Sequence, residues 1–284
     1  MNFNYQFKKY PSTRNIVYGN AMVATSQPLA AQAGLDMIKK GGNAIDAAIA
    51  TAAMLTIVEP TSNGFGGDAF ALVWVKDKLY GLNSTGPAPK LISSKELIEK
   101  GYSEMPIYGF TPVTVPGIPA AWAELSKKYG RLPFEELLKP AINAAENGYP
   151  VQPTVAKYWQ DAFERYKEDL KGEEFQEWFK VFAPNGRAPK AGEIWKSKDH
   201  AETLKILAKT KCEDFYRGSL AEKIDETSKK YGGYIRKEDL AEFYPQWVEP
   251  ISIEYKGYEV CEIPPNGHGI TALMALNIFK NLSV

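Results

Sequence analysis

The segment Ala44–Val58 constrains this chain more than any other. Nearly every residue in it is small or apolar, including Ala47, Ala48, Ile49, Ala50, Ala52, Ala53, Met54 and Leu55. A helix apolar on almost every face must be buried, and its alanines let other elements approach closely. No uninterrupted apolar stretch reaches the ~18 residues needed to cross a bilayer, so the segment reads as the centre of a globular core. Asn43 caps it, Asp46 lies in its positive first turn, and Glu59-Pro60 ends it.

The rest of the chain suits such a core. With 284 residues, 44% apolar and 24% charged, it has the profile of a folded protein. The 34 basic residues balance the 34 acidic ones, which leaves no electrostatic footprint for nucleic acid or a membrane surface. Two cysteines, Cys212 and Cys261, exclude a disulfide framework, and two histidines, His200 and His268, cannot make an HExxH site. The opening stretch Met1 to Asn20 has no apolar h-region, so no secretory signal is expected and a cytoplasmic location is. Nothing signals a metal or an organic cofactor.

Local patterns predict the elements. Met22–Thr25 reads as a strand. Pro28 opens a helix that runs to Lys39-Lys40 and stops at Gly41-Gly42. Thr61–Asp68 is a polar, glycine-rich loop. Ala69–Val75 and Leu79–Leu82 form a hairpin around Lys76-Asp77-Lys78. A helix follows Thr114-Val115-Pro116-Gly117, and another spans Pro133–Asn147 with a bend near Pro140. Residues 154–180 read as peripheral helices and 183–198 as an irregular crossing. Helices return at 199–210, 217–230 and 236–242, then a strand pair, Trp247–Tyr255 and Tyr258–Glu262. The loop Pro264–Gly269 leads into a last helix that is apolar on most faces. Either this helix docks into the core or its partners lie on a segment absent from this chain. No linker separates two independent domains.

Catalytic chemistry is not visible from residue types alone. The loop at 63–67 lacks GK[ST] and leads into a strand, where a phosphate cradle requires a helix start. It serves either as a tight turn with glycines at positive φ or as a backbone wall of a small-molecule pocket. His200 sits in a charged helix start and reads as solvated. Cys212 lies beside Glu213 and Asp214, which do not favour a thiolate.

A family resemblance enters with the motifs taken together. Gly41-Gly42-Asn43-Ala44-Ile45-Asp46-Ala47-Ala48-Ile49-Ala50, then Val58-Glu59-Pro60-Thr61-Ser62-Asn63-Gly64-Phe65-Gly66-Gly67-Asp68-Ala69-Phe70, resembles the γ-glutamyltransferase family. Thr114–Gly117, Phe215–Gly218, Gly232–Ile235, Asp239-Leu240 and Pro264–Gly269 continue the resemblance in order. It implies an α+β fold, helix-rich, forming part of an N-terminal-nucleophile hydrolase αββα sandwich. It also implies a precursor that cleaves itself before a threonine, which then becomes the nucleophile with its own α-amine as base.

No threonine here sits in that processing context. The resemblance therefore implies that residues 1–284 are the N-terminal portion of the large subunit, inactive alone, with no catalytic residue of their own. The small subunit from the same precursor would be the partner and a small-molecule amide the substrate; the competing expectation is a non-catalytic binding or assembly subunit that keeps the fold, and a higher oligomer is left open.

The family places an arginine, which pairs with the substrate α-carboxylate, where this chain has Thr85 in Leu82–Pro89. That departure resembles the γ-glutamyltransferase-like and cephalosporin acylase branch and implies a different amide, of glutaryl type. The expected pocket residues are Asn83, Ser84 and Thr85, then Asn63, Gly66, Gly67 and Asp68, and then Asn266 and His268. Each has a plainer explanation as turn chemistry.

Overall fold

The computed structural model describes residues 18–282; most of the polar opening stretch, residues 1–17, lies outside them. In chain order the elements are α1 (Pro28–Lys39), α2 (Ala44–Val58), β1 (Ala69–Val75), β2 (Lys78–Ser84), α3 (Ser94–Glu99), α4 (Ile118–Tyr129) and α5 (Phe134–Asn147). They continue with β3 (Tyr149–Pro150), α6 (Pro153–Asp169), α7 (Gln176–Phe182), β4 (Ile194–Trp195), α8 (Lys198–Thr210), α9 (Glu213–Arg217) and α10 (Ser219–Lys230). The last are α11 (Lys237–Ala241), β5 (Gln246–Val248), β6 (Ile251–Tyr255), β7 (Tyr258–Glu262) and α12 (Gly269–Phe279). They divide into two compact units, each made of two stretches of chain: residues 1–64 with 129–205, and 65–128 with 206–284.

The first unit is built on α2. Asn43 and Asp46 form a reciprocal capping box: Asn43 Oδ1 accepts from Ile45 N at 2.9 Å and Asp46 N at 3.1 Å, and Asp46 Oδ2 accepts from Asn43 N at 2.9 Å. Both side chains also reach a distant turn. Asn43 Nδ2 donates to Tyr129 O at 2.6 Å, and both carboxylate oxygens of Asp46 accept from Arg131 N at 3.1 Å. Asp46 is 0% exposed, so its side-chain oxygens find their partners in main-chain donors rather than in water. Helix α1 buries Ala30, Ala33, Gly34 and Met37 against this neighbourhood. A Cβ on Gly34 would collide with Thr51 Oγ1, which is why the two helices can approach only through a glycine there. Burial of Ile49, Ile57 and Val58 contributes about 1.5–3 kcal/mol for each side chain.

Two expectations are corrected in this unit. Met22–Thr25 is not a strand. Residues 154–180 are not merely peripheral: Trp159 is buried, donates its indole N–H to Phe182 O at 2.9 Å, and packs edge-on against Trp195. Trp195 stacks on Phe182 with ring centroids 5.9 Å apart. It lies on β4, a short strand inside the 183–198 region expected to be irregular, which pairs with β3 at Tyr149-Pro150.

The second unit holds a three-stranded antiparallel sheet in the order β1-β2-β5. Lys76 and Asp77, at φ 51° and 58°, make the two-residue turn between β1 and β2. The register pairs Phe70 with Asn83, Leu72 with Gly81 and Leu82 with Trp247. Along β1, Val73 is buried while Phe70, Leu72 and Trp74 are exposed, Trp74 by 65%. The expected long strand Trp247–Tyr255 breaks at Glu249-Pro250, because Pro has no N–H for a ladder. Its first part joins β2 and its second part pairs with β7. Helix α12 rests on β6 and β7 through Leu273, leaving Ile270, Met274, Ile278 and Phe279 exposed.

Candidate active-site cleft

The second unit contains a cleft of about 690 Å³, bounded by Asn83, the turn Thr85–Ala88, Lys90, the 239–246 segment, Pro265 and Asn266. The end of β2 and the loop before α12 meet there. Asn83 Nδ2 donates to Asn266 Oδ1 at 3.2 Å, and Asn266 Nδ2 donates to Thr85 Oγ1 at 3.4 Å. Asn83 Oδ1 accepts from Thr85 N at 3.0 Å, an Asx turn that fixes the threonine at the rim. The three residues form one neutral polar network.

The other expected residues fall elsewhere. Ser84 points away from the cleft; it is fully buried and its hydroxyl donates to Gly117 O at 2.7 Å. Asp68 accepts from Gly86 N at 3.3 Å and so supports the turn beside Thr85. Gly67 O accepts from Gly117 N at 2.9 Å and Ile118 N at 3.1 Å, anchoring the start of α4. Gly66 is exposed with open space around it. Neither Gly66 nor Gly67 has positive φ, so the expectation of glycine-specific turn angles in this loop is not met. Asn63 belongs to the first unit, where its amide donates to Glu59 Oε2 at 3.0 Å. His268 is exposed and occupies the N-cap position of α12, outside the cleft lining.

Several motif residues serve as scaffold for this rim. A Cβ on Gly117 would collide with Ser84 O, and one on Gly86 with Val115 O, so the two turns can lie together only as glycines. Tyr216 OH donates to Pro116 O at 2.7 Å and accepts from Ala120 N at 3.1 Å, tying α9 to the start of α4. Arg217 donates to Phe243 O at 3.1 Å and lies 4.2 Å from the centre of the Tyr244 ring, supporting the far wall.

That far wall is the part that motif reading missed. Asp239 is buried and accepts from Lys90 N at 3.1 Å and Arg236 N at 2.9 Å. The Lys90 ammonium pairs with Glu242. Asp239-Leu240 was visible as a motif, but no sequence signal ties it to Lys90.

Cys212 is not among the residues that line the cleft, and His200 belongs to the first unit. Burial pushes the Cys212 thiol far above its ordinary range, and Glu213 adds to the shift. His200 is corrected from the solvated residue expected: it packs against Phe182 and Trp195, with Nδ1 2.8 Å from Ser197 Oγ. Burial lowers its pKa, against a smaller opposing effect of Asp199. Among the described residues no group of three His, Cys, Asp or Glu side chains could hold a metal ion, and no helix is long and apolar enough to cross a membrane.

This mixed arrangement is the fold of the N-terminal-nucleophile hydrolases, of which it supplies part of the αββα sandwich. The γ-glutamyltranspeptidase family model matches residues 30–284, and the chain belongs to that family. It is 33% identical over 273 residues to the glutathione hydrolase-like YwrD proenzyme of Bacillus subtilis, covering 94% of this chain and 50% of that protein. Among solved structures it is similar to a cephalosporin acylase from Bacillus halodurans, at 59% identity and a TM-score of 0.97, over 100% of this chain and 53% of that one. It is also similar to Helicobacter pylori γ-glutamyltranspeptidase, at 30% identity and a TM-score of 0.86, over 95% of this chain and 77% of that one. The chain spans about half the length of the curated relatives it matches.

Proposed function

We propose that these residues are the large-subunit portion of a self-processing amidohydrolase or acyltransferase that acts on γ-glutamyl or glutaryl-type amides. In this reading the nucleophilic threonine lies on a segment outside this chain, and the Thr85 cleft forms one wall of the acyl pocket. One observation carries the reading: the end of β2 and the loop before α12, which hold two of the family motifs, meet in a single cleft through Asn83, Thr85 and Asn266. The proenzyme names of relatives about twice the length of this chain support self-processing. The exposed apolar residues of β1 and α12 support a complementary segment packed over them. Thr85 offers a hydroxyl and no charge, which supports an acyl group other than a full amino-acid head.

Intact mass spectrometry of the product of the complete gene tests this. Two chains from one precursor, the smaller beginning with threonine, are expected. An unprocessed product that hydrolyses amides, or turnover by residues 1–284 alone, would refute it.

A further inference from the structure

We propose that Lys90 selects acyl groups that end in a carboxylate, and that Glu242 occupies it between substrates. The inference rests on the reading above that the cleft receives the acyl part of the amide. Among the described residues that line the cleft, Lys90 carries the one positive charge, and Asp239 and Glu242 carry the negative ones.

The two carboxylates differ in commitment. Asp239 is buried and bound to two main-chain N–H groups, one of them that of Lys90 itself. It anchors the root of the lysine and cannot leave. Glu242 has only an exposed pairing, with both side chains 62% exposed. Such a pair contributes little, because water solvates each partner nearly as well. A substrate carboxylate can therefore displace Glu242 from the ammonium, the exposed glutamate turning to water while Lys90 keeps one carboxylate partner. Thr85, on the same cleft, accepts from Asn266 and keeps its hydroxyl hydrogen for donation. An acyl chain with a terminal carboxylate would meet both an ammonium and a hydroxyl. A simple alkyl acyl group would leave the Lys90–Glu242 pair unused.

The test uses the complete processed protein with two anilides of equal chain length, glutaryl and pentanoyl p-nitroanilide. Lys90→Met is expected to lower the glutaryl-to-pentanoyl preference in kcat/KM about tenfold or more, the loss falling on KM. Lys90→Arg should restore most of it, and Glu242→Gln should lower the glutaryl KM. An equal effect of Lys90→Met on both anilides, no effect on either, or turnover of the pentanoyl anilide alone would overturn the proposal. If neither anilide is turned over, the functional reading of the site fails, and glutarate binding followed by amide chemical shifts around Lys90 decides this inference separately. Binding that Lys90→Met abolishes upholds it; no binding overturns it.

Discussion

Replacing Asp46 by alanine is the most demanding test of how this fold is held. The carboxylate accepts from Asn43 N within the capping box, from Arg131 N through both oxygens at 3.1 Å, and from Leu132 N at 3.4 Å. Loss of a helix cap costs about 1 kcal/mol. Leaving a buried donor without an acceptor costs about 1–3 kcal/mol, and Arg131 N would be left so. The long contact to Leu132 N adds little. The sum is about 2–4 kcal/mol, a large share of an ordinary domain's stability. Asp46→Asn keeps the shape and one acceptor oxygen, so about half that loss is expected. Equilibrium urea unfolding followed by tryptophan fluorescence reads both, with the midpoint falling by about 1 M or more for alanine. An alanine variant within about 1 kcal/mol of the parent at unchanged slope would refute the claim that Asp46 joins α2 to the 129–132 turn.

Other expectations follow from single side chains. Gly117→Ala places a methyl group against Ser84 O and should cost several kcal/mol in melting experiments, whereas Gly66→Ala, with open space around it, should be nearly neutral; similar losses at both would contradict the packing described. His200 is lowered in the folded state, so the unfolded chain binds more protons as pH falls below its reference value of about 6.5. Stability should thus decline from neutral pH down to the folded-state pKa, and His200→Phe should flatten that slope in pH-dependent unfolding. Thr85→Arg in the complete protein should raise activity on a γ-glutamyl anilide about tenfold, the gain of a charge-assisted hydrogen bond to the α-carboxylate. No gain would count against the missing charge as the reason for altered specificity.

What the sequence made legible was local. The Pro28 start, the Asn43 cap and the hairpin around Lys76-Asp77-Lys78 each follow from residues within a few positions of one another, and each is present, although Lys78 already belongs to β2. Patterns spanning longer distances were read less well. Trp247–Tyr255 alternates like one strand, yet Pro250 assigns its halves to different sheets. His200 stands among charged neighbours in sequence, but its ring turns inward to Phe182 and Trp195, which a linear reading cannot show. The cleft was half legible: Asn83, Thr85 and Asn266 come from motifs, while Lys90 and Glu242 become neighbours only through the fold. Much of the motif signal proved architectural. Asn43, Asp46, Gly117 and Tyr216 hold turns and helix starts.

The outer strand β1 has consequences for handling. Among the described residues its main chain pairs only with β2, so its other edge can template a foreign strand, and Phe70, Leu72 and Trp74 expose an apolar face beside that edge. Purified by itself at high concentration, the polypeptide should self-associate through this edge before it loses its core, and a chaperone would find its first handhold there.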